Sequence, residues 1–166
     1  MNNVEQEYCF KVTDLKQFID YCENNGFTLI SESEQVRKIY KKSDNTMLRI
    51  TIDKKGDKIV KTMDFKQDLL SDEPLIERKE SLPIEFEDDE AVKSIIDFLN
   101  YKESIELKRK RYVYNKDDIK IEMDEYISPE QAYVVAIEGN IEKSEIIYNE
   151  LKDKYNEFFI INNKSI

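Results

Sequence analysis

Hydrophobic and polar positions alternate with period two along most of this chain, and three stretches switch to a period near 3.6. The alternation predicts strands over 3–11, 28–41, 47–52, 58–63, 75–82, 103–115, 119–127 and 131–138. Between the third and fourth, Asp53-Lys54-Lys55-Gly56-Asp57 is a hairpin signal with its glycine near the turn. Pro83 ends the fifth, and Asn115-Lys116-Asp117-Asp118 and Ser128-Pro129-Glu130 turn the chain between the last three. The first helical stretch carries Leu15, Phe18, Ile19 and Cys22 at i, i+3, i+4 and i+7, with Thr13 as its cap and Gly26 closing it. In the second, Val92, Ile95, Ile96 and Leu99 form a stripe behind Asp88 and Asp89, which suit a helix N-terminus. The third spans about 141–157 and lines up Tyr148, Leu151, Tyr155 and Phe158.

Eight strands joined mostly by short turns, with three helices, predict a largely antiparallel α+β fold. No linker divides residues 1–166, so one domain is expected, and the element order suggests two related halves merged into one sheet. Alternation also assigns the faces. Glu5, Glu7 and Cys9 oppose Tyr8 and Phe10, Arg49 and Thr51 oppose Leu48 and Ile50, and Glu122 and Asp124 oppose Ile121 and Met123. One face is apolar and fit to be covered by helices; the other carries charge of both signs. An open sheet would leave the charged face in water. A closed eight-stranded barrel would turn it into a narrow lumen and remove the strand edges. Alternation alone is compatible with both.

Composition narrows the chemistry. Lys plus Arg is 26 against 36 Asp plus Glu, a net charge of −10 with a pI near 4.7. A chain this acidic repels phosphate backbones, so DNA is not an expected partner. The absence of histidine excludes Ser-His-Asp and Cys-His nucleophiles, His-ligated zinc and imidazole bases. Three scattered glycines build neither a Walker loop nor a dinucleotide-binding turn. Cys9 and Cys22 lack metal-ligand spacing and are expected to be buried thiols. No apolar run approaches the ~20 residues of a membrane helix, and the amino terminus lacks a secretory pattern; a cytoplasmic protein is expected.

The two charge sets point to a polyanion with a metal. Glu5, Glu7, Glu80, Glu122, Asp124 and Glu138 supply oxygen donors, and carboxylates at i and i+2 of a strand sit side by side, which suits hard Mg²⁺ or Mn²⁺. Arg49, Lys61, Arg78, Arg109 and Arg111 supply cations able to grip phosphate oxygens. Lys120 is a further candidate for the same lining, and Tyr112 and Tyr114 for its mouth.

Several segments resemble, in order, the motifs of the CYTH superfamily, the triphosphate tunnel metalloenzymes. Val4-Glu5-Gln6-Glu7 is similar to the family's opening Glu-x-Glu, Leu48-Arg49-Ile50 to its Leu-Arg-x-Arg strand, and Lys61 to its lysine-terminated strand. Arg78 and Glu80 resemble an Arg-x-Glu-x-Glu element, and Arg109-Lys110-Arg111 with Tyr114 a basic Lys-x-Arg segment. Met123-Asp124-Glu125-Tyr126 is similar to Leu-Asp-x-Val, and Ile137-Glu138 to the closing Glu-Ile-Glu. The resemblance implies an eight-stranded antiparallel tunnel with about three helices outside. It implies a metal-dependent phosphohydrolase of triphosphates such as inorganic triphosphate, ATP or thiamine triphosphate. On it, Glu5, Glu7, Asp124 and Glu138 hold the metal, while Arg49, Lys61, Arg78, Arg109 and Arg111 hold the triphosphate. An adenylyl cyclase and a catalytically degenerate nucleotide- or polyphosphate-binding module are the alternatives, and no residue is assigned as the catalytic group. The chain departs from the pattern at Cys9, in place of a lysine, Thr51, in place of an arginine, and Leu82 and Ala136, in place of acids. Lys11, Arg37, Lys58 and Lys120 are near enough in sequence to substitute. The exposed faces of helices 88–100 and 141–157 are candidates for a homodimer surface.

Overall fold

The computed structural model describes residues 4–43 and 45–160. Its elements are β1 (Val4–Val12), α1 (Lys16–Asn24), β2 (Thr28–Ser43), β3 (Thr46–Lys55), β4 (Lys58–Asp72), β5 (Leu75–Glu80), β6 (Ile84–Glu85), α2 (Asp89–Phe98), β7 (Lys102–Lys116), β8 (Ile119–Ser128), β9 (Ala132–Gly139) and α3 (Ile141–Lys154). The strands pair in the order β3-β2-β7-β8-β9-β1-β5-β4, and β4 returns to β3. Eight antiparallel strands thus close on themselves, and the two-residue β6 is added to β4. Closure decides between the two arrangements that alternation allowed: the charged face is the inside of a barrel.

β2 and β7 pair from Thr28–Asn115 to Lys41–Lys102, with register shifts between Leu29 and Ser31 and between Ile39 and Tyr40. Such bulges sharpen the local bend that a narrow barrel needs. The apolar positions point outward. Phe10, Ile121, Met123, Val135 and Ile137 from β1, β8 and β9 pack under Phe18 of α1 and Leu151 of α3. Phe159, just past α3, stacks on Phe10 with ring centroids 4.6 Å apart. A smaller cluster joins Leu48, Ile50, Met63 and Phe65 of β3 and β4 to Ile96 and Val92 of α2. Gly139 makes the β9–α3 junction: its φ is +121°, and a Cβ there would lie 2.0 Å from the Asp118 carbonyl oxygen.

The structure departs from the sequence reading at several elements. Thr13 does not cap α1; its N–H donates to the Phe158 carbonyl, and the Asp14 carboxylate accepts from the Lys16 N–H instead. The α2 stripe is only half covered, with Ile96 and Val92 packed and Ile95 and Leu99 exposed. β4 runs nine residues beyond the predicted 58–63, whereas β5 stops at Glu80 and leaves Leu82 exposed. Tyr112 and Tyr114 turn outward into the core under α1 and α3, away from the lumen. Asp88 does cap α2, its carboxylate accepting from the Ala91 N–H. No helix among the described residues is long and apolar enough to cross a membrane.

Candidate functional site

The registers place each inward side chain against its neighbour. Glu7 of β1 lies opposite Glu138 of β9, and Glu5 opposite Arg78 of β5. One carboxylate oxygen from each of Glu5, Glu7 and Glu138 falls within 4.8 Å of the others. Burial, with hydrogen bonds to Glu5 and Glu122, pushes the Glu138 carboxyl far above the usual carboxylate range. Glu7 is also raised, by burial and then by the charge of Glu5. Burial acts the same way on Glu5, but hydrogen bonds to Glu138 and Glu80 and the Lys66 ammonium hold it low. Three acids therefore crowd one another in a buried setting, each with one cationic neighbour, Lys66 at Glu5, Arg78 at Glu7 and Lys120 at Glu138. Glu5 Oε2 and Glu138 Oε1 are buried without a hydrogen bond of good geometry, although the Lys66 and Lys120 ammonium groups stand close. The donors are all hard oxygens, so the cluster fits Mg²⁺ or Mn²⁺.

Across the bore, β2, β3 and β7 carry a guanidinium wall. Asp124 of β8 accepts from Arg111 Nε at 2.7 Å and Nη2 at 2.9 Å, and Glu122 pairs with Arg111 Nη1. Burial lowers the Arg111 pKa, and the bond to Asp124 with the charges of Glu122 and Asp124 more than reverses this. Arg109, only 3% exposed, donates from Nε to Gln35 and from Nη1 to the Tyr126 hydroxyl, leaving Nη2 buried without a partner. Arg49 forks onto Asp64, and Arg78 bridges Glu7 and Asp68. Arg37 of β2 reaches the same space, its Nε donating to Thr51 Oγ1 at 3.1 Å. All five arginines of the chain line this bore.

The bore therefore brings together Glu5, Glu7, Glu80, Glu122, Asp124 and Glu138 with Arg49, Arg78, Arg109, Arg111 and Lys120. Lys61 is the correction. It pairs in register with outward-facing Ile52, and its ammonium sits 2.9 Å from Asp89 of α2, outside the barrel. Asp124, expected beside the metal ligands, stands apart from the carboxylate triad and is taken up by Arg111 and Arg109. Lys66, 8% exposed and placed between Glu5 at 3.2 Å and Glu80 at 2.6 Å, is the lysine that β4 turns into the bore. It was missed along with Asp64 and Asp68. Continued alternation through Asp64, Lys66 and Asp68 against Phe65 was the available signal. Of the proposed substitutes, Lys11 and Lys58 are exposed, whereas Arg37 and Lys120 face the bore.

The lining changes character along the barrel. Cys9, Ile76, Leu107, Tyr126 and Val134 continue the inward faces of β1, β5, β7, β8 and β9 toward one mouth, which opens into a cavity of ≈ 920 Å³. Burial and then the charge of Glu7 push the Cys9 thiol up to about 12, so it is neutral.

This fold recurs in solved structures. The chain superimposes on the PH1012 protein of Pyrococcus horikoshii with a TM-score of 0.73 at 18% identity over 94% of each chain. HpAC1 of Hippeastrum, an adenylyl cyclase by name with a dominant triphosphatase activity, gives 0.69 at 12% identity over 97% of this chain and 92% of its own. The Pct1 RNA triphosphatase of Schizosaccharomyces pombe gives 0.55 at 15% over 91% and 78%. The chain has a CYTH-type fold. No protein-family model and no curated protein sequence matches it. At these identities the CYTH likeness is one of architecture, and it agrees with the tunnel expected from the motif order.

Proposed function

We propose that the CYTH-type bore binds a triphosphate together with Mg²⁺ or Mn²⁺ and hydrolyses it. The observation that carries this reading is the buried Glu5–Glu7–Glu138 cluster facing a wall of arginines within one enclosed lumen. A bound divalent cation would supply charge neutralisation at phosphate oxygens. Glu5, Glu7 and Glu138 would hold it. Arg49, Arg78, Arg109 and Arg111, with Lys66 and Lys120, orient the phosphate chain and offset the charge that develops as water attacks the terminal phosphorus in line. Asp64, Asp68 and Asp124 keep these forks aimed before the substrate arrives, which spares reorganisation at the reacting centre. The neighbouring mouth, where Ile76, Leu107, Tyr126 and Val134 lie among charged side chains, has room for the organic group of ATP or thiamine triphosphate, so the substrate set includes organic as well as inorganic triphosphates. A cytoplasmic setting is the one this reading implies.

A second reading, a binding module without turnover, is favoured by one observation. Cys9 is an uncharged thiol where the family pattern has a lysine. One experiment separates the two. The purified protein is incubated with inorganic triphosphate, ATP and thiamine triphosphate, each with Mg²⁺ or Mn²⁺. Orthophosphate release supports hydrolysis, and cyclic AMP with pyrophosphate would replace hydrolysis by cyclisation. Binding without product supports the module, and absence of both contradicts the triphosphate reading.

A further inference from the structure

Among the bore arginines, Arg37 alone has no carboxylate partner in the described structure. Arg49 is held by Asp64, Arg78 by Glu7 and Asp68, and Arg109 and Arg111 by Asp124. Arg37 donates only to the Thr51 hydroxyl. Burial, followed by the charges of Arg109, Arg49 and Arg111, sets its pKa well below the usual guanidinium value. A half-buried fork surrounded by like charge raises the energy of the ligand-free bore, and an anion placed among the four guanidinium groups relieves it.

Position matters as much as charge. Arg37 of β2 and Thr51 of β3 are direct partners in the ladder, and both face inward. Side chains at such a pair start only about 5 Å apart, so an arginine on either strand sweeps the same volume. The short threonine leaves that volume to Arg37, whose Nε lies beside the threonine hydroxyl. Thr51 is also where the chain departs from the Leu-Arg-x-Arg strand that it resembles.

We propose that Arg37 is a phosphate-binding residue that supplies from β2 the guanidinium missing at position 51 of β3. The charge has moved across one rung of the sheet and the site has kept it. Proximity on the β2–β3 ladder makes the exchange nearly neutral for the barrel and preserves a planar fork for phosphate oxygens. This inference rests on the triphosphate reading of the bore and identifies which groups grip the anion.

The test is calorimetric titration of inorganic triphosphate, with Mn²⁺ present, into the wild type, Arg37→Thr, and the exchange variant Arg37→Thr/Thr51→Arg. Melting temperatures serve as the control for folding. Arg37→Thr is expected to weaken binding about 10–100-fold, the worth of one charge-assisted contact, without lowering the melting temperature. The exchange variant is expected to recover affinity to within a few-fold of the wild type. Wild-type affinity in Arg37→Thr, or an exchange variant as weak as Arg37→Thr, overturns the proposal. If Arg37→Thr fails to fold, Arg37→Lys answers the same question, because it keeps the charge and loses the fork; undiminished binding there also overturns the proposal. A wild type that binds no triphosphate removes the triphosphate reading itself, and this inference with it.

Discussion

The two walls of the barrel's interior are incomplete in opposite ways. On β1 and β9, Glu5, Glu7 and Glu138 crowd one another, and two of their buried oxygens lack a hydrogen bond. On β2, β3 and β7, nearly every guanidinium already has its acid: Asp64 holds Arg49, and Asp124 holds Arg111. The first wall crowds three carboxylates that only the single charges of Lys66, Arg78 and Lys120 offset. The second lacks an anion at one place, beside Arg37 and Arg109 Nη2. A metal–triphosphate complex would complete both at once, which is the sense in which the walls form one site. The difference also separates roles: pairs such as Arg111–Asp124 hold the lumen's shape, and the unpaired groups are where a ligand would gain most.

Three variants sharpen that contrast. The largest effect is expected for Glu5→Ala/Glu7→Ala. Removing two carboxylates of the triad should lower metal-dependent phosphate release by more than the ~10–100-fold typical of outer-shell changes, while the barrel still melts cooperatively. Full activity in this variant breaks the assignment of the acidic wall. Asp124→Ala comes next and acts on stability. It removes the carboxylate that Arg111 and Arg109 share and leaves Arg111 with Glu122 alone, at a cost of about 1.5–3 kcal/mol, or a fall of about 3–12 °C in melting temperature. A fall of less than 2 °C would mean that the arginine wall is not held by its acids. Lys61→Ala is the smallest. Its exposed pair with Asp89 is worth about 0–1 kcal/mol, and neither triphosphate binding nor turnover should change. A loss of binding there would put Lys61 back into the lumen.

Cysteine reactivity probes the boundary between the walls and the mouth. Burial, with the Glu7 charge at Cys9 and the Glu23 charge at Cys22, pushes both thiols up to about 12. Alkylation by iodoacetamide should therefore stay slow from pH 7 to pH 9 in the folded protein and accelerate on unfolding. Rapid labelling of Cys9 at pH 7 would contradict the neutral thiol that burial and the Glu7 charge hold at the mouth.

Much of this was legible in the sequence, for identifiable reasons. Strict alternation in β1, β3 and β8 placed Glu5, Glu7, Arg49, Glu122 and Asp124 on one face, because a strand offers only two directions. Whether that face was enclosed was not legible. Closure depends on long-range pairings, of β1 with β5 and β9 and of β2 with β7, which alternation does not specify. Lys61 shares parity with Ile59 and Met63, the outward face of β4, and a motif match to its strand does not carry that face. Lys66, Asp64 and Asp68 were missed because the polar run 64–73 reads as a loop unless Phe65 is taken as an outward anchor. Arg37 was noticed only as a substitute within reach. Its meaning lies in a cross-strand partner, Thr51, fourteen residues away. A further signal is that all five arginines fall at inward parity, whereas most lysines other than Lys66 and Lys120 lie at outward or exposed positions. Arginine's fork suits a lumen built around phosphate, and that bias would have singled out Arg37.

The most direct test of the account is a crystal structure of the protein grown with triphosphate and Mn²⁺, read through the manganese anomalous signal. The account predicts a peak within bonding distance of the Glu5, Glu7 and Glu138 carboxylates, with triphosphate oxygens completing the coordination and turned toward the arginine wall. A peak elsewhere on the molecule, or triphosphate bound in the lumen with those three carboxylates uncoordinated, would contradict it.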